Sequence, residues 1–114
     1  MNYKYNLVIK INSLANFENI DQLNRAIELL KDDFRFAIIV REVDGKFGIK
    51  YDHDLMQFFS DKETFIKLLA KYLIGGNIFI DFIGEGDDRV SYLILKGRYT
   101  IYKWEAKVVK ECKL

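Results

Sequence analysis

Tyr51-Asp52-His53-Asp54 is the one place in this 114-residue chain where an imidazole and carboxylates cluster. Asp52 or Asp54 within hydrogen-bond reach would orient His53 as a general base, and the three side chains together would begin a metal site. A base does nothing without a nucleophile or a substrate cleft, and such a metal centre wants further nitrogen or sulfur ligands. The chain offers few, since His53 is its only histidine and Cys112 its only cysteine. The plainer reading of 51–54 is a solvated turn ahead of a helix. No Gly-x-Ser-x-Gly elbow occurs, and Cys112 has no histidine near it in sequence. The expectation is no catalytic residue, no metal and no cofactor.

Charge is distributed unevenly. Asp81, Glu85, Asp87 and Asp88 fall within eight residues that hold no base. The Gly84-Glu85-Gly86-Asp87-Asp88 run lacks the twelve-residue spacing of an EF-hand and the Lys-Ser/Thr ending of a P-loop, and its charge would repel phosphate. The plain reading is a flexible acidic hairpin loop; a second is that its carboxylates meet a basic partner surface as rim charges. From Lys96 onward the balance reverses, with Lys96, Arg98, Lys103, Lys107, Lys110 and Lys113 against Glu105 and Glu111. Bases beside Tyr99, Tyr102 and Trp104 suit stacking on nucleic acid. They suit better an edge strand whose lysines prevent edge-to-edge pairing, with the aromatics as core or cross-strand partners.

The whole chain carries a net charge of only +1, which argues against a polyanion binder working by bulk electrostatics. Half the residues are hydrophobic and 31% charged, a globular balance, so residues 1–114 are expected to form a single globular domain. One cysteine excludes a disulfide framework within the chain. No signal-peptide pattern and no run of 18 apolar residues is visible, so a cytoplasmic protein without membrane spans is expected. Aromatic residues make up 15% of the chain, more than small elements hide completely, and surface Tyr and Trp are good anchors for a protein partner.

The elements that position these groups follow from periodicity. Tyr3 to Asn12 alternates, with Tyr3, Tyr5, Leu7, Ile9 and Ile11 on one face, as a half-buried strand does. Ile20, Leu23, Ala26, Ile27 and Leu30 keep helical spacing, with Asn19 as N-cap and an end near Lys31. Phe34 to Val43 and Lys46 to Tyr51 flank Asp44-Gly45, a two-residue hairpin turn. That turn sets Val40 opposite Ile49 and Ile38 opposite Tyr51, gathering Phe36, Ile38, Val40, Phe47, Ile49 and Tyr51 on one face. Asp52 to Phe59 is ambiguous. Ser60-Asp61-Lys62-Glu63 is a capping box for a helix whose stripe is Phe65, Leu68, Leu69, Tyr72 and Leu73, stopped by Gly75-Gly76.

Asn77 to Ile83, apolar apart from Asp81, reads as a strand covered on both faces. Val90 to Leu95 and Arg98 to about Val109 form a second hairpin around Lys96-Gly97, with Tyr92 opposite Ile101 and Ile94 opposite Tyr99. Tyr102 and Trp104 fall on the other face from Tyr99 and Ile101, which points to a bulge near Lys103. The order β-α-β-β-α-β-β-β implies an α+β fold. It suggests a split β-α-β (ferredoxin-like) antiparallel sheet with two helices on one face, plus a C-terminal β-hairpin extension.

Two resemblances follow from these motifs. Gly45-Lys46-Phe47-Gly48-Ile49-Lys50-Tyr51 resembles the third-strand pattern of the RNA recognition motif. It departs from that pattern at Ile49 and in the Lys/Gly order, and the first strand offers Val8 and Ile9 where that family has an aromatic. Gly84 to Asp88, Tyr92, Lys96-Gly97-Arg98 and Tyr102 to Trp104-Glu105 resemble the terminal hairpin of small bacterial toxin-immunity proteins, and phage-encoded inhibitors of host defence look similar. That resemblance implies a non-catalytic inhibitor that blocks a toxin or defence effector. Its expected docking residues are Glu85, Asp87, Asp88, Arg98, Tyr102, Lys103 and Trp104. The alternative is an RNA- or nucleic-acid-binding ferredoxin-like module.

Overall fold

Period-two alternation of apolar side chains persists further along the first strand than its opening residues imply. The computed structural model describes residues 8–30, 36–58, 61–84, 88–104 and 110–113, and of residues 57 and 58 the backbone alone. Strand β1 (Val8–Phe17) points Ile9, Ile11, Ser13, Ala15 and Phe17 to one side, and Ile9, Ala15 and Phe17 are buried. It does not stop at Asn12, because Ser13, Ala15 and Phe17 keep the same phase. The expected strand residues Tyr3, Tyr5 and Leu7 lie outside the described residues.

Helix α1 (Ile20–Leu29) starts where the spacing says, and Leu23 and Ile27 are fully buried on its inner face. Asn19 occupies the N-cap position in the left-handed region (φ 51°), a conformation asparagine tolerates, and its side chain makes no capping bond. Leu30 is the C-cap; Lys31, the expected end, lies outside the described residues.

The hairpin of β2 (Ala37–Arg41) and β3 (Phe47–Tyr51) differs by one residue from the expected register. Ile39 faces Ile49 and Ala37 faces Tyr51. The loop has three residues, not two: the Glu42 and Lys46 backbones pair, Gly45 N–H donates to the Glu42 carbonyl, and Gly45 sits at φ +82°. The Asp44 carboxylate accepts from Lys46 N–H and holds the turn. A type I turn closed by a left-handed glycine suits Asp-Gly as well as the shorter turn does. Ala37 and Ile39 consequently enter the core beside Phe47, while Ile38 and Val40 turn to the other face, half-buried. Phe36 is still fully buried, edge-on to Phe65 at 5.2 Å.

The ambiguous stretch forms a short helix, α2 (His53–Phe58). Helix α3 (Lys62–Tyr72) is capped by Asp61, whose carboxylate accepts from Thr64 N–H; Ser60 lies outside the described residues. It buries Phe65, Ile66, Leu69, Ala70 and Tyr72. Strand β4 (Leu73–Ile83) follows with no intervening loop, so Gly75-Gly76 does not stop the helix but lies inside the strand. There the pairing with β1 is irregular between Asn16 and Phe17. Gly76 takes φ +80°, and a Cβ on it would sit 1.8 Å from the Leu14 carbonyl oxygen. The glycine is required by the close passage of β1.

Strands β5 (Arg89–Leu95) and β6 (Arg98–Trp104) pair with Tyr92 opposite Ile101 and Ile94 opposite Tyr99, as expected. The register runs unbroken to Arg89 opposite Trp104, so no bulge occurs at Lys103. The expected continuation of this strand, residues 105–109, lies outside the described residues. The fold is α+β: a six-stranded antiparallel sheet in the order β2-β3-β1-β4-β5-β6, with three helices among the described residues.

Helices α1 and α3 touch each other and lie against one face of this sheet. α1 packs on β2, and α3 on β5 and β6. Ile78, Ile80, Phe82, Tyr92 and Ile94 meet the helices' buried side chains in one core. Tyr99 Oη donates to Glu63 of α3, and Gly97 N–H to the Ala70 carbonyl, so α3 is tied to the last hairpin. At the β2 edge the Asn24 side chain accepts from Ile39 N–H and donates to the Ile39 carbonyl, covering two outward backbone groups.

Gly76→Ala is expected to destabilise the fold by about 2–4 kcal/mol through the left-handed backbone and the Leu14 contact. Gly75→Ala, where a Cβ meets nothing within 4 Å, should stay within about 1 kcal/mol of wild type. Urea unfolding of both variants checks this, and equal losses would contradict it.

Candidate functional site

Asp52 is already engaged in helix formation. Its Oδ1 accepts from Leu55 N–H at 3.0 Å, and its own N–H donates to the Phe36 carbonyl, so it caps α2 and ties it to the start of β2. His53 Nδ1 lies 3.7 Å from Asp54 Oδ1, and both side chains are well exposed. No group of three or more His, Cys, Asp or Glu side chains able to hold a metal occurs among the described residues. A shallow hollow of about 300 Å³ adjoins Asp52, lined by Phe36, Ala37, Ile38, Lys50, Tyr51 and Asp52. These positions do what a helix-opening turn does.

The built polar constellation lies elsewhere, on the sheet face turned away from α1 and α3. There β4 buries Asp81, and β5 buries Ser91 completely. Arg89 clasps the Asp81 carboxylate with two hydrogen bonds, Nε at 3.0 Å and Nη2 at 2.8 Å. Ser91 Oγ donates to Asp81 Oδ1 at 2.7 Å and accepts from Trp104 Nε1 at 2.8 Å. The Arg89 guanidinium also sits over the Trp104 ring, 4.3 Å from its centroid. Burial alone would push the Asp81 carboxyl up. The bonds from Arg89 and Ser91, with the charges of Arg89 and Lys10, outweigh it and hold Asp81 below its ordinary value.

Cross-strand register fixes what surrounds this network. Val8, Ile83, Arg89 and Trp104 form one row across β1, β4, β5 and β6, and Lys10, Asp81, Ser91 and Tyr102 form the next. Val8, Tyr102 and Trp104 keep 49%, 43% and 45% of their surface exposed. One end of the helix-free face is thus an aromatic and aliphatic patch, about 14 Å across four strands at ordinary strand spacing, with Trp104 held by both its ring nitrogen and its face.

The expected docking residues are only partly brought together. Tyr102 and Trp104 share this patch, whereas Asp88 precedes Arg89 and its charge acts on Lys62 of α3, on the helix side. The Asp88 carbonyl accepts from Gly84 N–H, closing the base of the acidic loop, whose Glu85 and Asp87 lie outside the described residues. Lys103 pairs with Val90 on the helix side of β6, and Arg98 is at the far end of that strand, about 20 Å from Trp104. Asp81 does not belong to a surface acidic cluster, because it is buried and paired with Arg89. Sequence reasoning missed Ser91 and Arg89, although a lone carboxylate in an apolar strand followed by Arg-x-Ser was a usable signal. Phe47 and Tyr51, the aromatics of the RNA-motif resemblance, point to the helix side: Phe47 packs on Phe17, and Tyr51 Oη donates to the Ile9 carbonyl. Cys112 is exposed. No helix among the described residues is long and apolar enough to cross a membrane. No protein-family profile, curated protein or solved structure matches the chain.

Asp81 carries a pH prediction. A depressed folded-state pKa gives stability that is present above the unfolded value near 4 and is lost as pH falls through the folded value. Acid unfolding curves should therefore weaken from about pH 5 downward, and Asp81→Asn should flatten that window while losing about 2 kcal/mol at pH 7. An unchanged acid slope in Asp81→Asn would contradict the assignment. At the other candidate, Asp52→Ala should lose about 1 kcal/mol as a lost cap, while His53→Ala stays within about 0.5 kcal/mol; thermal unfolding separates the two.

Proposed function

We propose that the protein is a small non-catalytic binding module that blocks a protein partner, of the toxin-immunity or anti-defence type, through the Trp104 patch. The observation that carries this reading is the doubly held, half-exposed Trp104 beside Tyr102, Val8 and Ile83, on the sheet face turned away from α1 and α3. A large aromatic fixed before binding loses little entropy on docking, which is the profile of a hot-spot anchor. Lys10 would be a rim charge, with Glu85, Asp87 and Asp88 joining it on charge alone. Arg98, at the far end of β6, and Lys103, on the helix side, would lie outside the central contact. On this reading the strand order β2-β3-β1-β4 is the split β-α-β, ferredoxin-like plan, with α2 inserted before α3 and β5-β6 as the appended hairpin.

The alternative, an RNA- or nucleic-acid-binding module of that fold, draws support from Tyr102 and Trp104 beside Lys10, since bases stack on such rings. Phe47 and Tyr51, turned toward the helices, count against it.

Affinity capture from the native host with tagged protein, followed by titration of the captured species, tests the reading. Trp104→Ala and Tyr102→Ala, checked for folding by circular dichroism, should each weaken capture of a protein by about tenfold or more. Undiminished capture by the double variant would remove this surface. A captured RNA, released by salt and lost on nuclease treatment, would establish the alternative.

A further inference from the structure

The two outer strands of the sheet present different edges. At β2 the Asn24 side chain occupies the outward N–H and carbonyl of Ile39. At β6 the Leu95–Arg98 pair closes the Lys96-Gly97 turn, so Arg98, Thr100, Tyr102 and Trp104 direct their backbone groups toward β5. Tyr99, Ile101 and Lys103 direct theirs outward. Among the described residues no hydrogen bond reaches those outward groups, and β6 pairs only with β5. An edge of this kind is a template for a further strand.

The side chains of β6 indicate which strand fits. Ile101 stands at the midpoint of Arg98–Trp104 and is 47% exposed, on the helix side of the sheet. A two-fold axis through Ile101 sets a second β6 antiparallel to the first, and in hydrogen-bonding phase, because Ile101 is one of the outward residues. Ile101 then faces its own copy, Tyr99 faces Lys103, Thr100 faces Tyr102, and Arg98 faces Trp104. No like charges meet. Lys103 comes beside Tyr99 of the second copy, whose hydroxyl is bonded to Glu63, and its ammonium approaches that exposed carboxylate. Arg98 comes beside the Trp104 ring, which Arg89 already covers from its own chain at 4.3 Å. An axis through Lys103 would instead set lysine against lysine, and one through Tyr99 would leave Ile101 opposite the turn glycine. The one lysine of β6 thus selects the register in which the strand complements itself.

We propose that the protein forms a two-fold dimer through the edge of β6, joining two six-stranded sheets into one. Pairing uses the edge of the strand and not its face, so the dimer does not depend on the partner proposed above. It also brings Arg98 of the second copy to Trp104, from which Arg98 of the same chain is separated by the length of β6.

Sedimentation equilibrium of the full chain from roughly 10 μM to 1 mM tests the proposal. Expected is a reversible rise from the mass of one chain toward twice that mass, with slowed exchange of the Ile101 and Lys103 amides and not of Arg41 on the β2 edge. Ile101→Lys, which sets like charges on the axis, should weaken dimerisation by about tenfold or more. Lys103→Glu should weaken it as well, and adding Glu63→Lys should restore part of the loss. Val43→Lys, in the exposed β2–β3 loop, should change nothing. Circular dichroism checks that each variant is folded. A single-chain mass at every concentration would overturn the proposal, as would a dimer that Ile101→Lys leaves undiminished. Protection of the Ile101 and Lys103 amides only when a captured protein is bound would also overturn it, and assign the edge to a strand of that protein.

Discussion

A carboxylate buried on the central strand of the sheet dictates the layout of the helix-free face. Taking Asp81 out of water costs several kcal/mol unless its oxygens are satisfied and its charge is balanced. Arg89 does both with two charge-assisted bonds, and Ser91 completes the set. Both partners come from β5, which lies beside β4 with Asp81 opposite Ser91, so the strand register and the electrostatics require each other. A slip of one residue would send Ser91 and Arg89 to the helix side and leave Asp81 alone. Ser91 then passes the constraint one strand further by accepting from the Trp104 indole, and Arg89 covers its ring. The only tryptophan of the chain is placed by a chain of contacts that begins with one buried charge.

The two faces of the sheet divide the work. On one, Ile78, Ile80, Phe82, Tyr92 and Ile94 meet Leu23, Ile27, Phe65, Ile66 and Leu69, and apolar burial supplies most of the stability. On the other, no helix among the described residues covers the end of the sheet where Val8, Ile83, Tyr102 and Trp104 lie in adjacent rows. That face is ordered by polar bonds and offers apolar surface, a combination suited to a surface that must be rigid yet free to bind. The last hairpin belongs to both: Tyr99 and Gly97 fasten it to α3, while Tyr102 and Trp104 face outward two and four residues after the turn-proximal Thr100.

What could be read from the sequence depended on whether local chemistry had one solution. Lys96-Gly97 between two long apolar runs allowed a single register, and Tyr92 opposite Ile101 followed. Asp44-Gly45 allowed two loop lengths, and the side-chain bond of Asp44 to Lys46 N–H selects the longer, moving Ala37 and Ile39 inward in place of Ile38 and Val40. Gly75-Gly76 resembled a helix stop because only the close passage of Leu14, far away in sequence, explains it. The shift of apolar phase at Tyr102 and Trp104 resembled a bulge for a similar reason. It marks two rings on a face where Arg89 and Ser91, not an apolar layer, receive one of them. Asp52 and His53 attracted chemical interest that a helix cap accounts for.

Because Trp104 is the only tryptophan, its fluorescence reports on the central claim directly. Time-resolved anisotropy of the unbound protein should decay with the tumbling of the whole molecule, and Ser91→Ala should add a fast component as the indole loses its acceptor. A fast component already dominant in the wild type, or an unchanged decay in Ser91→Ala, would show that the Asp81–Ser91 chain does not hold the ring.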